Sequence, residues 1–221
     1  MDSIWKYALI AAAGFLLGSM SASILLSRLA LGGDVRGKGS GNAGATNMAR
    51  VYGWGMGLVT LACDMLKAFL ATWIGSLLLG DVGLALGGIC CMLGHCFPVF
   101  HKFKGGKGIS AGAALGLMID WKVFVCIIAV FLIVAFLSKK VSLGSIAACI
   151  AITVSSLIFG VGLPKVILAA FAMCLAIFQH RGNIRRLLNG TEPDFKAAKR
   201  NKDAEGEAPG AEQEGKADTE N

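Results

Sequence analysis

Long apolar stretches recur along the chain and are separated by short polar segments. Seven such stretches are visible, and they run over Ile4–Leu31, Trp54–Leu79, Val82–Phe100, Ile109–Ile119, Val123–Leu137, Leu143–Phe159 and Lys165–Phe178. A helix needs about 20 apolar residues to cross the hydrocarbon core of a bilayer. Most of these stretches approach that length without alternating polar positions. The pattern therefore predicts an all-α integral membrane protein with about seven transmembrane helices.

The fourth stretch, Ile109–Ile119, is too short to cross a bilayer alone. We expect it to be a tilted or half-membrane helix that pairs with the fifth stretch. A count of five spans, in which the short stretches are merged or do not cross, is the alternative. Composition supports a membrane protein under either count, because 55% of the 221 residues are hydrophobic and only 16% are charged.

Three loops rich in glycine and basic residues interrupt the apolar pattern. They cover Gly32–Arg50, His101–Gly108 and His180–Gly190. With seven spans, two crossings separate the first loop from the second and four separate the second from the third, so all three emerge on one face. Most Lys and Arg residues lie on that face, which the positive-inside rule assigns to the cytoplasm. The N-terminus is then expected outside and the C-terminus inside.

The composition changes near residue 195. Residues 195–221 contain mainly Lys, Glu, Ala and Gly without an apolar run, which is typical of a disordered, charged cytoplasmic tail. Residues 1–194 are expected to form the membrane domain. The net charge of +7 is gathered in the loops and the tail. It therefore indicates topology and binding of anionic groups rather than a nucleic-acid surface.

The first loop has the composition of a phosphate-binding segment. Its glycines leave backbone amides unobstructed, and Arg36, Lys38 and Arg50 add positive charge to its small polar side chains. Amides, hydroxyls and a planar guanidinium are the donors that phosphate oxygens accept best. The alternative is an ordinary flexible loop.

The second loop places three lysines around a Gly-Gly turn just before a predicted helix. A helix N-terminus beside a lysine favours an anion, although positive-inside clustering alone would also account for these lysines. In the third loop, His180 and Asn183 are three residues apart and share one face of a helix. The arginines of this loop are expected to be topology anchors; they are Arg181, Arg185 and Arg186.

Two ionisable residues, Asp64 and Lys67, lie inside the second apolar stretch. We expect them to form an ion pair that faces the bundle, because an unpaired charge is costly in lipid. The seven cysteines lie in or beside apolar stretches and are expected to act as small apolar residues. A metal site on Cys91, His95 and Cys96 would have too few ligands. We therefore predict neither a metal nor a cofactor.

Three segments together resemble the three motifs of one bacterial family, the acyl-phosphate:glycerol-3-phosphate acyltransferases of the inner membrane. They are Gly39-Ser-Gly-Asn-Ala-Gly-Ala-Thr-Asn47 with Arg50, Gly94-His-Cys-Phe-Pro-Val-Phe100 with Phe103-Lys-Gly-Gly-Lys-Gly108, and His180-Arg-Gly-Asn-Ile-Arg-Arg-Leu187 with Gly190-Thr-Glu192. The resemblance covers about residues 14–192. It implies seven helices and the transfer of a fatty acyl group from acyl phosphate to the 1-hydroxyl of glycerol 3-phosphate. The implied products are 1-acylglycerol 3-phosphate (lysophosphatidate) and phosphate.

The resemblance also implies the site residues by position. Those expected to be catalytic are Arg50, Lys107, Ser142, His180 and Asn183. Those expected to bind acyl phosphate or glycerol 3-phosphate are Ser40, Asn42, Thr46, Asn47, Lys104, Gly105 and Gly106. The segment Gly18-Ser-Met-Ser21 departs from the family's usual Gly-Ser-Ile-Pro, so the bend of the first span is expected to differ.

The implied partners are the two phosphorylated substrates, the lipid bilayer and the peripheral enzyme that produces acyl phosphate, with no nucleic acid. The cationic residues Arg50, Lys107 and His180 would neutralise phosphate groups. No loop carboxylate is well placed as a base apart from Asp34, which we expect to be a turn residue. The hypothesis is therefore that the phosphate of the donor accepts the proton of the attacking hydroxyl. The alternative function is transport of a small organic phosphate, which normally uses a midplane site between repeated halves.

Overall fold

The computed structural model describes residues 4–195, and the regular elements in that range are helical. The α-helices are α1 Ile4–Ser19, α2 Ala22–Ala30, α3 Ala45–Tyr52, α4 Trp54–Cys96, α5 Ile109–Ile119, α6 Trp121–Ser138, α7 Val141–Ile158, α8 Leu163–Gln179 and α9 Arg181–Leu188. Short 3-10 turns lie at Val35–Gly37 and Val99–His101. The all-helical class is confirmed. The predicted disordered tail lies, from residue 196 onward, outside the described residues.

The first apolar stretch is broken rather than continuous. α1 ends at Ser19 and α2 begins at Ala22, with Ser21 in an extended conformation between them. The carbonyl oxygen of Met20 at this break accepts a hydrogen bond of 2.9 Å from the ammonium of Lys67. A side chain from α4 thus satisfies a backbone group that would otherwise be unpaired within lipid. The bend is present although the usual proline is absent.

α4 doubles back on itself at Leu79 and Gly80, whose backbone angles are not helical. We call residues 54–78 its first arm and residues 81–96 its second arm. A Cβ atom added to Gly75 would lie 2.1 Å from the carbonyl oxygen of Gly83, so the two arms are in direct backbone contact. Small residues permit this close approach. The turn predicted between the second and third apolar stretches is therefore present.

Four helical stretches within residues 4–195 are long and apolar enough to cross a membrane, and α8 with α9, bent by 60°, would make a fifth. This criterion counts α1 with α2 as one stretch and both arms of α4 as one. α5 has only 11 residues, as predicted. The count of seven depends on treating the arms of α4 and α5 separately, and it stays a prediction.

The core lies where the two arms of α4 pack against α5, α6, α7 and α8. Its largest members are buried, and they include Leu115, Val123, Ile152 and Leu168. Many leucines and phenylalanines on the outer surface are exposed, as expected where the surroundings are lipid. The glycine-rich loops contact one another at one end of this bundle.

Candidate active site

The first glycine-rich loop is held in shape by one buried asparagine. The amide nitrogen of Asn47 lies 3.0–3.1 Å from the carbonyl oxygens of Val35, Lys38 and Asn42. The side-chain oxygen accepts a hydrogen bond of 2.8 Å from the backbone amide of Ser40. Asn47 was predicted to bind substrate. Its hydrogen bonds are instead made to the loop, whose shape they fix.

Asp34 anchors the start of this loop. Its carboxylate accepts hydrogen bonds of 2.7 Å from Arg36 and 2.8 Å from Arg28. The Arg36 guanidinium also donates to the carbonyls of His101 and Lys104 and so joins the first loop to the second. The hydrogen bond from Arg36, followed by the other contacts, holds the pKa of Asp34 well below its usual range. Asp34 is therefore a turn residue, as predicted.

The start of α3 presents unpaired donors. The helix begins at Ala45 after Gly44, and the backbone amides of Ala45 and Thr46 have no acceptor among residues 4–195. The first amides of a helix have no intrahelical partner and attract anions. Arg50, one turn further along, forms no ion pair with a carboxylate in the same range. The loop and helix together supply amide, hydroxyl and guanidinium donors.

The glycines of the second loop, which were predicted to bind substrate, contact the end of α4 in the structure. The amides of Gly105 and Gly106 donate to the carbonyls of Cys96 and His95 at the end of α4. A Cβ atom on Gly105 would lie 2.0 Å from the His95 oxygen. These glycines therefore permit close packing of the loop on α4. With Lys104, which is exposed, they lie outside the set of residues that line the cavity, and their role in substrate binding stays a prediction.

A chain of polar contacts crosses from the second loop to the third. The Lys107 ammonium donates to the side-chain oxygen of Asn183. The Asn183 amide donates to Glu192 at 2.6 Å, and the Arg186 guanidinium donates to the same carboxylate at 2.7 Å. The buried Ser142 hydroxyl lies against Glu192 without good hydrogen-bond geometry. Residues of α7 and α9 thus meet at one carboxylate, to which Lys107 is linked through Asn183.

Glu192 and Arg186 were missed as site residues. Glu192 is buried at the centre of the site. Asn183 and Arg186 occupy its oxygens, so it does not contradict the expectation that no loop carboxylate other than Asp34 is well placed as a base. Arg186, expected to be a topology anchor, is its ion-pair partner. The place of Glu192 at the end of the third motif was the signal that could have identified it. Burial opposes ionisation of Glu192, but its contacts with Ser142, Asn183 and Arg186 lower its pKa.

The local environment shifts the pKa of two predicted catalytic residues. Burial, helped by the charges of Arg186 and Arg50 and opposed by Glu192, lowers the pKa of Lys107 to about 8. Burial also lowers the pKa of His180 to about 4. His180 Nδ1 lies 2.7 Å from the carbonyl oxygen of Ala176 and must donate to it. With this pKa, His180 is neutral at physiological pH in the substrate-free protein, with Nε2 as its acceptor, which does not favour the predicted neutralisation of phosphate.

These loops and helix ends line a cavity of about 680 Å³. Its polar end brings together nearly all of the predicted site residues and the two that were missed. They are Ser40, Asn42, Thr46, Asn47, Arg50, Lys107, Ser142, His180, Asn183, Arg186 and Glu192. Below this end the cavity continues between apolar side chains of α4 to α8, among them Leu61, Phe131 and Ile152. Its wall includes the exposed side chains of Leu58, Leu132 and Phe136, so it opens sideways towards lipid.

Comparison with known proteins identifies the family. The family model described as glycerol-3-phosphate acyltransferase matches residues 8–190. The chain belongs to this family. The glycerol-3-phosphate acyltransferase of Finegoldia magna is 38% identical over 183 residues, covering 80% of this chain and 90% of the relative. That of Bacillus subtilis is 38% identical over 189 residues, covering 86% and 97%.

Two solved structures have the same fold. Both are crystal structures of PlsY (YgiH), an integral membrane glycerol 3-phosphate acyltransferase. The glycerol 3-phosphate form is 33% identical, with a TM-score of 0.82, and the match covers 86% of this chain and 96% of that one. The lysophosphatidic acid form is 32% identical, with a TM-score of 0.80 and coverage of 86% and 95%. The membrane-protein fold predicted from the sequence is thereby confirmed.

Proposed function

We propose that the protein transfers a fatty acyl group from acyl phosphate to the 1-hydroxyl of sn-glycerol 3-phosphate, giving 1-acylglycerol 3-phosphate and inorganic phosphate. The observation that carries this proposal is a cavity with a cationic end and an apolar remainder that opens towards lipid. Such a cavity suits one water-soluble phosphate and one phosphate attached to an acyl chain. The similar structures hold glycerol 3-phosphate in one case and lysophosphatidic acid in the other, the proposed acceptor and product.

The charges at the polar end match two phosphorylated substrates. The basic residues lining the cavity are Arg50, Lys107, Lys139 and Arg186. The carboxylate of Glu192, which Arg186 pairs, is the acidic group on the same wall. Four cations against one anion leave three positive charges for phosphate groups. Charge of one sign along the wall of a partly enclosed cavity attracts anionic substrates, most strongly beside the half-buried Arg50 and Lys107.

In the proposed acyl transfer, the enzyme has to position its two substrates more than it has to activate them. Acyl phosphate is a mixed anhydride, so the hydroxyl oxygen of glycerol 3-phosphate attacks its carbonyl carbon and the bond from that carbon to the phosphate oxygen breaks. Lys107, Arg50 and the free amides of α3 are arranged to stabilise the negative charge on the phosphates and on the carbonyl oxygen. Fixing two substrates in reacting geometry supplies much of the remaining rate.

The proton of the attacking hydroxyl ends on the departing phosphate. His180 presents a neutral Nε2 that accepts a hydrogen bond from that hydroxyl and orients it. A pKa of about 4 makes this imidazole a weak base. Glu192 is also unsuited to be the base, since Arg186 and Asn183 occupy its oxygens. Its role in the proposal is to hold Asn183, which in turn holds Lys107.

The structure gives the transport alternative no support. On the side away from the loops the bundle is closed by a buried apolar core that includes Leu115, Ile119 and Val123. A transporter exposes its site to each face in turn and normally places it near the midplane between repeated halves. The polar residues of the cavity lie at one end of the bundle, where an enzyme working at the lipid–water interface needs them.

The proposal extends to topology and location. Seven crossings of the inner membrane result if each arm of α4 spans separately and α5 forms a short antiparallel pair with α6. The contact between Gly116 and Ile127 across the Asp120 turn supports that pair. The N-terminus then lies outside and the loops face the cytoplasm, where a peripheral enzyme that produces acyl phosphate has access to the cavity. Residues 1–194 make up the membrane domain in this proposal.

A direct comparison of acyl donors tests the function. Purified protein in lipid nanodiscs is supplied with glycerol 3-phosphate and with palmitoyl phosphate or palmitoyl-CoA, and 1-acylglycerol 3-phosphate is measured by mass spectrometry. We expect product from the acyl phosphate only, because a thioester has no phosphate at its scissile carbonyl to occupy the cationic end of the cavity. Activity should also survive a chelator. Comparable turnover with palmitoyl-CoA would contradict the assignment of the donor.

A further inference from the structure

Three ionisable side chains are buried within the bundle, and the proposed mechanism uses none of them. The Lys67 ammonium lies 2.8 Å from the Asp64 carboxylate, which confirms the predicted ion pair, and His95 Nδ1 lies 3.7 Å from the same oxygen. Asp64 is 2% exposed and His95 is 5% exposed. A buried ionic cluster is weak evidence for stability and therefore calls for a specific role.

This cluster is tied to fixed points on both sides. On one side Lys67 donates to the carbonyl of Met20 at the break between α1 and α2. On the other side Asp64 faces His95, which lies near the end of the second arm of α4. The imidazole is therefore held between the two arms by a carboxylate whose own position is fixed by Lys67.

The second glycine-rich loop rests directly on His95. The backbone amide of Gly106 donates to the His95 carbonyl at 3.1 Å. A Cβ atom on Gly106 would lie 2.2 Å from His95 Nε2, so the glycine backbone is in close contact with the imidazole. The next residue in the chain is Lys107, whose ammonium reaches Asn183.

His95 borders the cavity, but both of its ring nitrogens face groups of the protein. Nδ1 faces the Asp64 carboxylate, and Nε2 lies beside the Gly106 backbone. The contacts of the ring are therefore with the first arm of α4 and with the second loop.

We propose that Asp64 and His95 are positioning residues that seat the Gly105–Gly106 turn and thereby fix the Lys107 ammonium in the cavity. Lys67 locks the carboxylate, the carboxylate orients the imidazole, and the imidazole forms the surface on which the turn lies. Removing the imidazole leaves a space beneath Gly106. The turn then relaxes, and Lys107 moves from Asn183 towards solvent.

The charge state of Lys107 reports this seating without any substrate. Burial and the positive charges of Arg186 and Arg50 lower the pKa of Lys107 to about 8, although the negative charge of Glu192 acts in the opposite direction. The other ionisable group beside it, His180, is neutral in this pH range because its pKa is about 4. A lysine released to water titrates near about 10.4. Displacement of Lys107 therefore raises its pKa.

The test measures the rate at which Lys107 is acetylated as a function of pH, by peptide mass spectrometry on purified protein in lipid. The variant is His95→Gln, and the matched control is Thr72→Val. Thr72 is also a fully buried polar residue of α4, but its hydroxyl contacts only carbonyls of its own helix. We expect the midpoint of the pH dependence of Lys107 acetylation at about pH 8 for the wild type and the control. For His95→Gln we expect it at least about one pH unit higher. An unchanged midpoint in the folded variant would overturn the proposal.

A second substitution perturbs the same contact from the side of the loop. Gly106→Ala places a methyl group against the imidazole and should raise the midpoint in the same direction. In the double variant His95→Ala with Gly106→Ala, the methyl group enters the vacated space. The two shifts should then be clearly less than additive. Additive shifts would show that the residues act independently, and Gly106→Ala decides the matter if His95→Gln does not fold.

The catalytic meaning of this seating rests on the proposed acyl transfer, but the labelling experiment does not. If the wild-type protein shows no acyl transfer but the pKa of Lys107 is still lowered, the proposed function is refuted and the positioning role stands. Conversely, if the wild-type protein is active but the pKa of Lys107 is the same in His95→Gln as in the wild type, only the positioning role is refuted.

Discussion

Replacing Lys107 by methionine isolates the contribution of one ammonium group to the site. Methionine keeps a long, unbranched side chain of similar length, so the packing of the second loop should change little. Asn183 loses the donor to its side-chain oxygen but keeps its hydrogen bond to Glu192. The chief change is the loss of a positive charge at the phosphate-binding end of the cavity.

The expected loss follows from the strength of a charge-assisted hydrogen bond. Such a bond contributes about 1.5–3 kcal/mol, and each 1.4 kcal/mol corresponds to roughly a factor of ten in rate or affinity. We therefore expect kcat/KM to fall by about ten- to 150-fold in Lys107→Met. If the ammonium contacts the phosphate in both ground state and transition state, most of the loss lies in KM. If the interaction of the ammonium becomes stronger as negative charge develops in the transition state, kcat falls as well.

The assay is phosphate release from palmitoyl phosphate at varied glycerol 3-phosphate, and Lys104→Met is the matched control. Lys104 belongs to the same loop and has the same charge, but its side chain is exposed and away from the cavity. The control should retain activity within about threefold, since surface charges contribute little. Equal losses in the two variants would refute the reasoning, because they would show that the loop supplies only charge density.

Two further predictions follow from the same geometry. The kcat/KM profile should decline above about pH 8, where free Lys107 loses its proton. Near neutrality it should show only the second ionisation of the glycerol 3-phosphate group, at about pH 6, and no step from His180, whose pKa is about 4. A step near pH 6.5 that His180→Gln abolishes would instead identify a general base. Single cysteines at Gly37 and Gly190, in a background without native cysteines, should be labelled from the cytoplasmic side. A single cysteine at Leu163 should be labelled only from outside. If the cysteines at Gly37 and Gly190 were labelled from opposite sides of the membrane, the two loops could not share a site.

Much of the fold could be predicted because apolar length is a local property. α5 spans the predicted Ile109–Ile119, and α4 starts at the predicted Trp54. The break at Met20 could not be located from apolar length, and only the family resemblance indicated a bend there. It is stabilised by Lys67 from another helix, and no pattern around Met20 records that contact.

The residue types of the site were predictable, but their contacts were not. Glycine and lysine composition indicated phosphate binding, whereas the place of Gly106 depends on the imidazole of His95 beneath it. Glu192 reaches the site because the chain turns back after α9 and meets Asn183. The neutral state of His180 depends on burial that only the packed helices create.

The most direct test of the central claim is to follow the oxygen atom of the acceptor. Glycerol 3-phosphate labelled with oxygen-18 in its 1-hydroxyl is incubated with palmitoyl phosphate and the purified protein, and both products are analysed by mass spectrometry. Attack of that hydroxyl on the acyl carbon predicts that the label stays in the ester of 1-acylglycerol 3-phosphate, with one unlabelled phosphate released for each ester formed. Release of free palmitate without labelled ester, or formation of a doubly phosphorylated glycerol, would contradict acyl transfer from acyl phosphate.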